Sequence, residues 1–283
     1  MPENLSDHSV HPESDEIVLA INIPPRPALF MALQHEIHKE EPDIRKIAEL
    51  INRDVAMASK LLETSNSASF SLRRHVTTVQ DAIIMVGMNQ CAAVMTGLIT
   101  KQTLAKGAMM MARFWDVSEK RAKGMSYLAK ELHSIKPEIA YSFGLFCDIG
   151  IPLLKASFPG YLETLSIANH KGDIDFLEVE HKRHGLDHAY VGGLLAQQWA
   201  ISDDVVAAIG MHHNHDILYD DTIAVPTRVL VASNYVVERA IQEFRGETES
   251  LEWLQGGSAA SEALGMTSAE ADELCEAVKA RLR

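Results

Sequence analysis

The sequence predicts an all-α protein, and three observations support that fold class. Apolar residues recur at three- and four-residue spacing, as in Ile47, Leu50 and Ile51, which is the period of one helix face. Asp, Ser and Thr residues precede many of these segments, where they serve as helix N-caps. Sustained period-two alternation and Asn-Gly or Asp-Gly hairpin turns are absent from the sequence, so strands are not predicted.

Helices of the first half are predicted from their caps and apolar faces. Each proline of the segment 23–27 favours extended backbone before it, so helical structure begins only after that segment. Asp54, Thr78 and Asn89 are the predicted N-caps. The resulting helices cover Ala28 to about Lys39, Ile44 to Asn52, Val55 to Ser65, a helix after Thr78 that stops at Gly87, and Cys91 to about Leu104.

Helices of the second half are predicted in the same way. Asp116 opens a long helix, and Pro137 occupies the first turn of the next one. Pro152 should kink that helix, because its ring clashes with the carbonyl group four residues earlier. Asp187 is a predicted N-cap, and Asn214 a left-handed stop. The remaining helices cover 138–157, 159–171, 175–184, 188–199, 203–213 and 227–244, and the last helix of the tail opens at Thr267-Ser-Ala-Glu270.

Composition and charge narrow the function classes. The 283 residues are 47% hydrophobic, which is enough to bury a core in one large or two smaller domains. Asp and Glu number 39 against 26 Lys and Arg, a formal charge of −13, and this charge repels the phosphate backbone of nucleic acids. The short basic run Arg73-Arg74-His75 is interpreted as a solvated turn. Nucleic acid is therefore not an expected partner.

The cysteines and the N-terminal composition predict a cytoplasmic protein. Cys91, Cys147 and Cys275 are odd in number and far apart, which is typical of reduced thiols in a cytosolic protein. No window holds 18 uninterrupted apolar residues, and the first residues are acidic and polar. Neither a membrane span nor a signal peptide is predicted. We expect residues 1–16 to be a disordered lead-in.

The apolar stretch from Tyr141 to Leu154 contains one carboxylate, Asp148. Burial of a lone carboxylate is costly unless a cation, a metal ion or several donors meet it. The candidate partners are His188, His212, His213 and His215, which lie close to predicted helix ends or caps, because imidazole and carboxylate groups bind Zn, Fe and Mn ions. The structural alternative stays open at this point, since a histidine pair is favoured at a helix C-terminus without a metal and Asp148 would serve as a hydrogen-bond hub.

Seven short motifs are spread along the chain, each occurring once: Ile23-Pro-Pro-Arg-Pro27, Ile51-Asn-Arg-Asp54, Thr78-Val-Gln-Asp81, Phe114-Trp115, Asp148-Ile-Gly150, His188-Ala-Tyr-Val-Gly192 and Met211-His-His213. Together they resemble the HDOD family, which is related to the HD metal-dependent phosphohydrolases and to the HD-GYP cyclic-di-GMP phosphodiesterases. The resemblance implies an HD-like multi-helix bundle over 106–245, preceded by an N-terminal helical subdomain over 17–105. Residues 246–283 form a C-terminal helical extension outside the resemblance.

The resemblance also implies a damaged metal site, without assigned catalytic residues. The positions that match HD and HD-GYP ligands, either vestigial or sufficient for one Fe, Mn or Zn ion, are Asp148, His188, His212 and His213. The degenerate ligand positions are Val117, Cys147 and Asn234. Valine cannot bind a metal, asparagine replaces a carboxylate poorly, and cysteine favours a softer ion. A two-metal phosphohydrolase centre is therefore not expected.

Three functions are compatible with these residues. The one we expect is a non-catalytic regulatory module of bacterial signal transduction, which needs no cofactor and acts in trans by binding signalling proteins or a small ligand. It is a monomer or a homo-oligomer, and it has no membrane partner. The second function is a metal-dependent phosphohydrolase or phosphodiesterase with a single ion held by Asp148, His188 and one histidine of the later pair. The third is a mainly structural scaffold without a pocket.

Overall fold

The computed structural model of the chain describes residues 21–67, 70, 74–104, 111–170, 176–247 and 250–282. These residues form α-helices and short 3-10 segments, and no strand occurs among them. The predicted all-α fold class is confirmed. The predicted lead-in at 1–16 lies outside the described residues, and the predicted subdomain boundary falls at 105–110, also outside them. Arg74 and His75 of the basic run are exposed.

Five helices are described in the N-terminal half. The side chains of Asp54 and Thr78 accept hydrogen bonds from backbone N–H groups and cap two of these helices, as predicted. The predicted cap at Asn89 is wrong, because its helix begins at Met88, directly after Gly87, whose φ is +96°. The helices are α1 Ala28–Ile37, α2 Ile44–Asn52, α3 Val55–Ser65, α4 Val79–Val86 and α5 Met88–Leu104.

The second half contains the remaining helices. Pro137 lies in the first turn of its helix, Asp187 caps the helix that follows it, and Thr267 and Glu270 form a capping box, as predicted. The elements are α6 Ala112–Leu132, α7 Pro137–Phe146, α8 Gly150–Ser157, α9 Tyr161–His170, α10 Phe176–His184, α11 His188–Gln198, α12 Asp203–Met211, the 3-10 helix His215–Tyr219, α13 Val225–Phe244, α14 Leu251–Ala263 and α15 Ser268–Lys279.

Two boundary predictions in this half are wrong. Asp116 does not open a helix, because α6 begins four residues earlier, at Ala112, and Asp116 pairs with Lys120 inside it. The residues before Asp116 continue the helix, so the capping-box pattern at this point is not used. Asn214 is not left-handed: its φ is −98°, and its side chain caps the 3-10 helix by accepting a hydrogen bond from the backbone N–H of Asp216.

The stretch predicted as one kinked helix is two helices, α7 and α8, separated by residues 147–149. Pro152 has no N–H to continue the helical pattern, and the carbonyl oxygen of Asp148 accepts instead from the N–H of Ile151, at 2.9 Å. The break places Asp148 at the junction of α7 and α8, here called the corner. Among the described residues, Pro137–Ser157 is the one stretch long and apolar enough to cross a membrane, but 67% of its apolar window is buried inside the protein.

The helix α7 lies between α5 and α6 and contacts both of them. Its last residue, Phe146, is fully buried and lies 6.3 Å from the ring of Trp199, at the end of α11. The indole of Trp199 donates a hydrogen bond of 3.0 Å to the carbonyl oxygen of Pro24, and its ring lies 5.5 Å from that of Phe30. The N-terminal helices therefore pack directly on the half that contains Asp148.

Gly150, the first residue of α8, allows α8 to approach the beginning of α11. A Cβ atom at this position would lie 2.0 Å from the carbonyl oxygen of His188. Only glycine fits at such a contact between two backbones. The close approach brings His188, the first residue of α11, next to Asp148.

Gly150→Ala should lower the free energy of unfolding by about 3 kcal/mol or more, because the added methyl group meets backbone that cannot move aside. Gly210→Ala is a matched control in α12, where a Cβ atom would meet nothing within 4 Å. The control should be stabilised by about 0.5–1 kcal/mol, the usual gain for Gly→Ala in a helix. Urea denaturation followed by circular dichroism measures both variants. Equal stabilities of the two would contradict the packing.

Candidate metal centre

Four donor atoms converge beside the break between α7 and α8. They belong to Asp148, to His188 at the start of α11, and to His212 and His213 after α12, and they lie within 4.8 Å of one another. Nε2 of His188 is 3.4 Å from Nε2 of His212 and 3.1 Å from Nε2 of His213. Oδ1 of Asp148 is 3.2 Å from Nε2 of His212 and 3.7 Å from Nε2 of His188. The four residues singled out in the sequence therefore meet at one point.

The two adjacent histidines can face one point because α12 ends before them. Neighbouring residues inside a regular helix point about 100° apart. Here α12 ends at Met211, and the backbone becomes extended at Asn214. The rings of His212 and His213 lie 4.1 Å apart, tilted by 43°. Because α12 ends here, the rings of both histidines can face one point, which they could not do inside a regular helix.

Each imidazole of the centre has an acceptor near its other ring nitrogen. An acceptor at Nδ1 favours the proton there and leaves the lone pair on Nε2. We infer that three Nε2 lone pairs face one another and a carboxylate, an arrangement that a cation stabilises. The Nδ1 contacts are His188 to Oε2 of Glu180 at 2.8 Å, His212 to the carbonyl oxygen of Ile209 at 2.7 Å, and His213 to Oε1 of Glu252 at 3.4 Å.

These donors fit one divalent transition-metal ion. Carboxylate oxygen and imidazole nitrogen are ligands for Zn, Fe and Mn. In a tetrahedral site with bonds of about 2.0–2.1 Å, ligand atoms are about 3.3 Å apart. Four of the six distances between the donor atoms run from 3.1 to 3.7 Å, and all six lie within 4.8 Å. Burial, with a further effect of His213, lowers the pKa of His212 to about 4. Its ring is neutral at neutral pH, as a ligand has to be.

The second oxygen of Asp148 contacts an arginine that the sequence analysis did not identify. Nη1 of Arg121, in α6, is 2.8 Å from Oδ2 of Asp148, in an ion pair that lacks the alignment of a hydrogen bond. Nη2 and Nε of Arg121 donate to Oε2 of Glu238, in α13, at 2.8 and 3.1 Å. The side chain of Arg121 is only 5% exposed. A permanent cation therefore occupies the Oδ2 side of Asp148.

The electrostatics of this pair follow from burial and proximity. Burial alone would raise the pKa of Asp148, but Arg121 and then His212 lower it well below its usual range. Burial alone would lower the pKa of Arg121, but Asp148 and Glu238 raise it. Burial raises the pKa of Glu238 despite the opposing effect of Arg121. Asp148 is thus an ionised carboxylate with a fixed counter-charge on one side.

The degenerate ligand positions lie near this pair without joining the donors. Val117 lies one turn before Arg121 on α6 and is half-buried against the core. Asn234 lies one turn before Glu238 on α13, is buried, and its Oδ1 has no hydrogen-bond partner among the described residues. Cys147 is fully buried, and burial raises the pKa of its thiol well above the usual value. Burial thus favours the protonated thiol in the metal-free protein, and Cys147 is not one of the four converging donors.

The most buried histidine of the centre, His188, contacts Glu180 in α10. The side chain of Glu180 is fully buried. Oε1 accepts from the hydroxyl of Tyr161, and Oε2 accepts from the backbone N–H and the ring of His188, at 2.9 and 2.8 Å. Burial alone would raise the pKa of Glu180, but these donors lower it. On the other side of the centre, the ring of Phe176 stacks on His213 at 5.9 Å.

The sequence comparisons agree with this architecture. A family model of the HDOD domain matches residues 23–215, which is more than half of the chain. The chain belongs to the HDOD domain family. A relative from Treponema pallidum, named "Uncharacterized protein", is 24% identical over 198 residues, which are 68% of this chain and 38% of that relative. This HDOD chain therefore spans less than half of the length of the curated relative.

Solved structures share the HDOD fold. A Shewanella amazonensis protein named "Putative phosphohydrolase" is 22% identical, with a TM-score of 0.69 and 93% of each chain covered. An HDOD domain protein of unknown function from Geobacter sulfurreducens is 17% identical, with a TM-score of 0.69 and coverage of 95% and 98%. A Marinobacter aquaeolei "Putative signal transduction protein" is 18% identical, with a TM-score of 0.70, and 93% of this chain and 58% of that chain are covered. At these identities the likeness shows the fold alone.

Arg121→Met should lower the free energy of unfolding by about 3–5 kcal/mol, because it leaves the carboxylates of Asp148 and Glu238 without their counter-charge. Arg183→Met is the matched control, since Arg183 pairs with Glu163 at 2.9 Å while the two side chains are 36% and 68% exposed. Its effect should stay below about 1 kcal/mol. Urea denaturation at neutral pH measures both variants. A loss of similar size in the two would contradict the role given to Arg121.

Proposed function

We propose that the protein is a non-catalytic regulatory module of the HDOD type, with a centre that binds one divalent metal ion for structure rather than for hydrolysis. The observation that carries the proposal is the contact between Arg121 and Asp148. Two-ion hydrolases clamp the attacking and leaving oxygens between ions about 3.5–4 Å apart. Nη1 of Arg121 is 2.8 Å from Oδ2, so a second ion on this oxygen would meet a fixed positive charge.

The number of donors supports a structural role for the ion. Closed structural sites of zinc have four protein ligands, whereas catalytic sites keep a position for water or substrate. Each imidazole is also oriented by the acceptor at its Nδ1 atom, here called its outer acceptor. Proteins commonly fix metal-binding histidines in this way. The donors of this centre, one carboxylate and three imidazoles, come from Asp148, His188, His212 and His213.

The charge of the centre favours a divalent ion. Asp148 and Glu180 both have a lowered pKa and are therefore ionised. Arg121 supplies one positive charge, which it shares with Glu238, and His212 is neutral at neutral pH. With neutral imidazoles, which metal binding requires, negative charge exceeds positive charge among these largely buried groups, a condition that is unfavourable without a further cation.

A bound ion would connect three separate elements of the fold. Asp148 belongs to the corner between α7 and α8, His188 begins α11, and the histidine pair follows α12. When bound, the ion supplies a crosslink between these elements and does not need to act on a substrate. The regulatory role would then reside in binding signalling proteins or a small ligand in trans. The Marinobacter aquaeolei neighbour named as a signal transduction protein supports this proposal.

The second candidate function is a one-ion phosphohydrolase. The side chains of Asp148 and His213 are 18% and 16% exposed, so the centre is open to solvent on this side. An ion with more than four ligands, such as Fe or Mn, keeps positions for water and lowers the pKa of that water. The neighbour named as a phosphohydrolase supports this alternative. The two candidates differ in whether the ion binds a water molecule that can attack a substrate.

Protein purified without chelator should contain about one Zn, Fe or Mn ion per chain, since one closed set of four donors is present. Asp148→Ala should lose nearly all of this metal, because it removes the charged ligand. Asp221→Ala, at a side chain that is 95% exposed, is the control and should retain it. Inductively coupled plasma mass spectrometry measures the content. Neither bis(p-nitrophenyl) phosphate nor cyclic di-GMP should be hydrolysed above the buffer rate.

The results separate the candidates. Metal-dependent hydrolysis that disappears in Asp148→Ala and persists in Asp221→Ala would replace the regulatory proposal with the phosphohydrolase. Two ions per chain would contradict the role of Arg121. A chain without bound metal would contradict the metal centre and favour a purely hydrogen-bonded cluster.

A further inference from the structure

The helix α14 lies against the metal centre, although it follows residues 23–215, which the HDOD family model matches. It contacts the 3-10 helix that comes after the histidine pair, and it packs along α13. Its second residue, Glu252, reaches the centre, where Oε1 is 3.4 Å from Nδ1 of His213. The outer acceptor of one candidate ligand thus comes from the C-terminal extension.

Close packing keeps α14 in this place. A Cβ atom at Gly256 would lie 2.4 Å from Cε1 of Tyr235 and 3.1 Å from Cβ of His215. One turn earlier, the ring of Trp253 lies under the guanidinium of Arg239, at 4.8 Å. The helix is therefore anchored both on α13 and on the segment that follows the histidine pair. The position of Glu252 is a consequence of this docking.

The three outer acceptors differ in how firmly they are held. Glu180 is fully buried and accepts from Tyr161 as well as from His188. The acceptor of His212 is a backbone carbonyl group within α12. The side chain of Glu252 is 42% exposed, and its contact of 3.4 Å is long for a hydrogen bond. The orientation of His213 therefore depends on the acceptor that is least constrained.

We propose that α14 is part of the metal centre and that Glu252 is a positioning residue for His213, so that ion affinity is coupled to the docking of the C-terminal extension. The inference rests on the one-ion centre proposed above. Loss of an outer acceptor weakens metal binding by about 10–100-fold. Coupling of this kind is reciprocal. An ion that orients His213 therefore stabilises the docked form of α14 by the same factor.

The first test is the affinity for Zn²⁺, measured by competition with a chromogenic chelator. Glu252→Ala should weaken binding by about tenfold, the lower end of the range for outer acceptors, because the group is partly exposed. Glu252→Gln keeps a neutral acceptor and should restore part of the affinity. Glu262→Ala is the matched control, since Glu262 is an exposed glutamate on the same helix, and it should bind as the wild type does.

Gly256→Ala provides a variant in which no donor residue and no outer acceptor is itself substituted. The methyl group would collide with the ring of Tyr235 and displace α14 together with Glu252. Ion affinity should therefore fall by about the same tenfold factor as in Glu252→Ala. An unchanged affinity in this variant, with α14 shown to be displaced, would overturn the coupling.

Hydrogen exchange gives a readout that does not depend on measuring affinity. Addition of Zn²⁺ to the metal-free wild type should slow amide exchange in α14 by about tenfold, the factor that reciprocity requires. Amides of α3 should not change, and Glu252→Ala should abolish the effect in α14. Equal Zn²⁺ affinity in wild type and Glu252→Ala, or equal loss in Glu262→Ala, would overturn the coupling and leave the one-ion centre intact. A wild type that binds no Zn²⁺ would overturn both proposals.

Discussion

The carboxylate of Asp148 governs the centre of this protein, because both of its oxygens need a partner inside the fold. Oδ2 is 2.8 Å from Nη1 of Arg121, and Oδ1 is 3.2 Å from Nε2 of His212. An uncompensated charge at this depth would cost several kcal/mol. The elements α6, α11 and α12 therefore have to meet the corner between α7 and α8. Gly150 makes the closest of these approaches possible, since a side chain there would collide with the backbone of His188.

Much of the fold could be predicted because its signals are local. Asp54 and Thr78 cap their helices through hydrogen bonds to residues three positions later, a relation that the sequence displays directly. Pro152 indicated the interruption that places Asp148 at a corner. The errors are local too. Asp116 has the sequence of a cap, but the residues before it are also helical, and Asn214 is a residue type that suits both a left-handed stop and a cap.

The candidate site was predictable only in part. Asp148 was conspicuous as the one carboxylate in an apolar segment, but the three histidines could be selected from the 13 in the chain only because the short motifs resemble the HDOD family. Arg121 and Glu238 are 117 positions apart in the chain. In the sequence, neither can be distinguished from a charged residue on the solvent-exposed face of a helix. Glu180 and Glu252 likewise resemble surface residues. Only the packing of α10 and α14 shows that these carboxylates contact the imidazoles, so the outer acceptors require a structure.

The central claim is that the two oxygens of Asp148 face different cations, a metal ion on one side and the guanidinium of Arg121 on the other. A crystal of protein purified without chelator, measured with X-rays tuned to the absorption edge of the bound metal, tests it most directly. The account predicts one anomalous peak at bonding distance from Oδ1 of Asp148 and the three Nε2 atoms, with Arg121 on Oδ2. A second peak between Asp148 and Glu238, with Arg121 displaced, would contradict it.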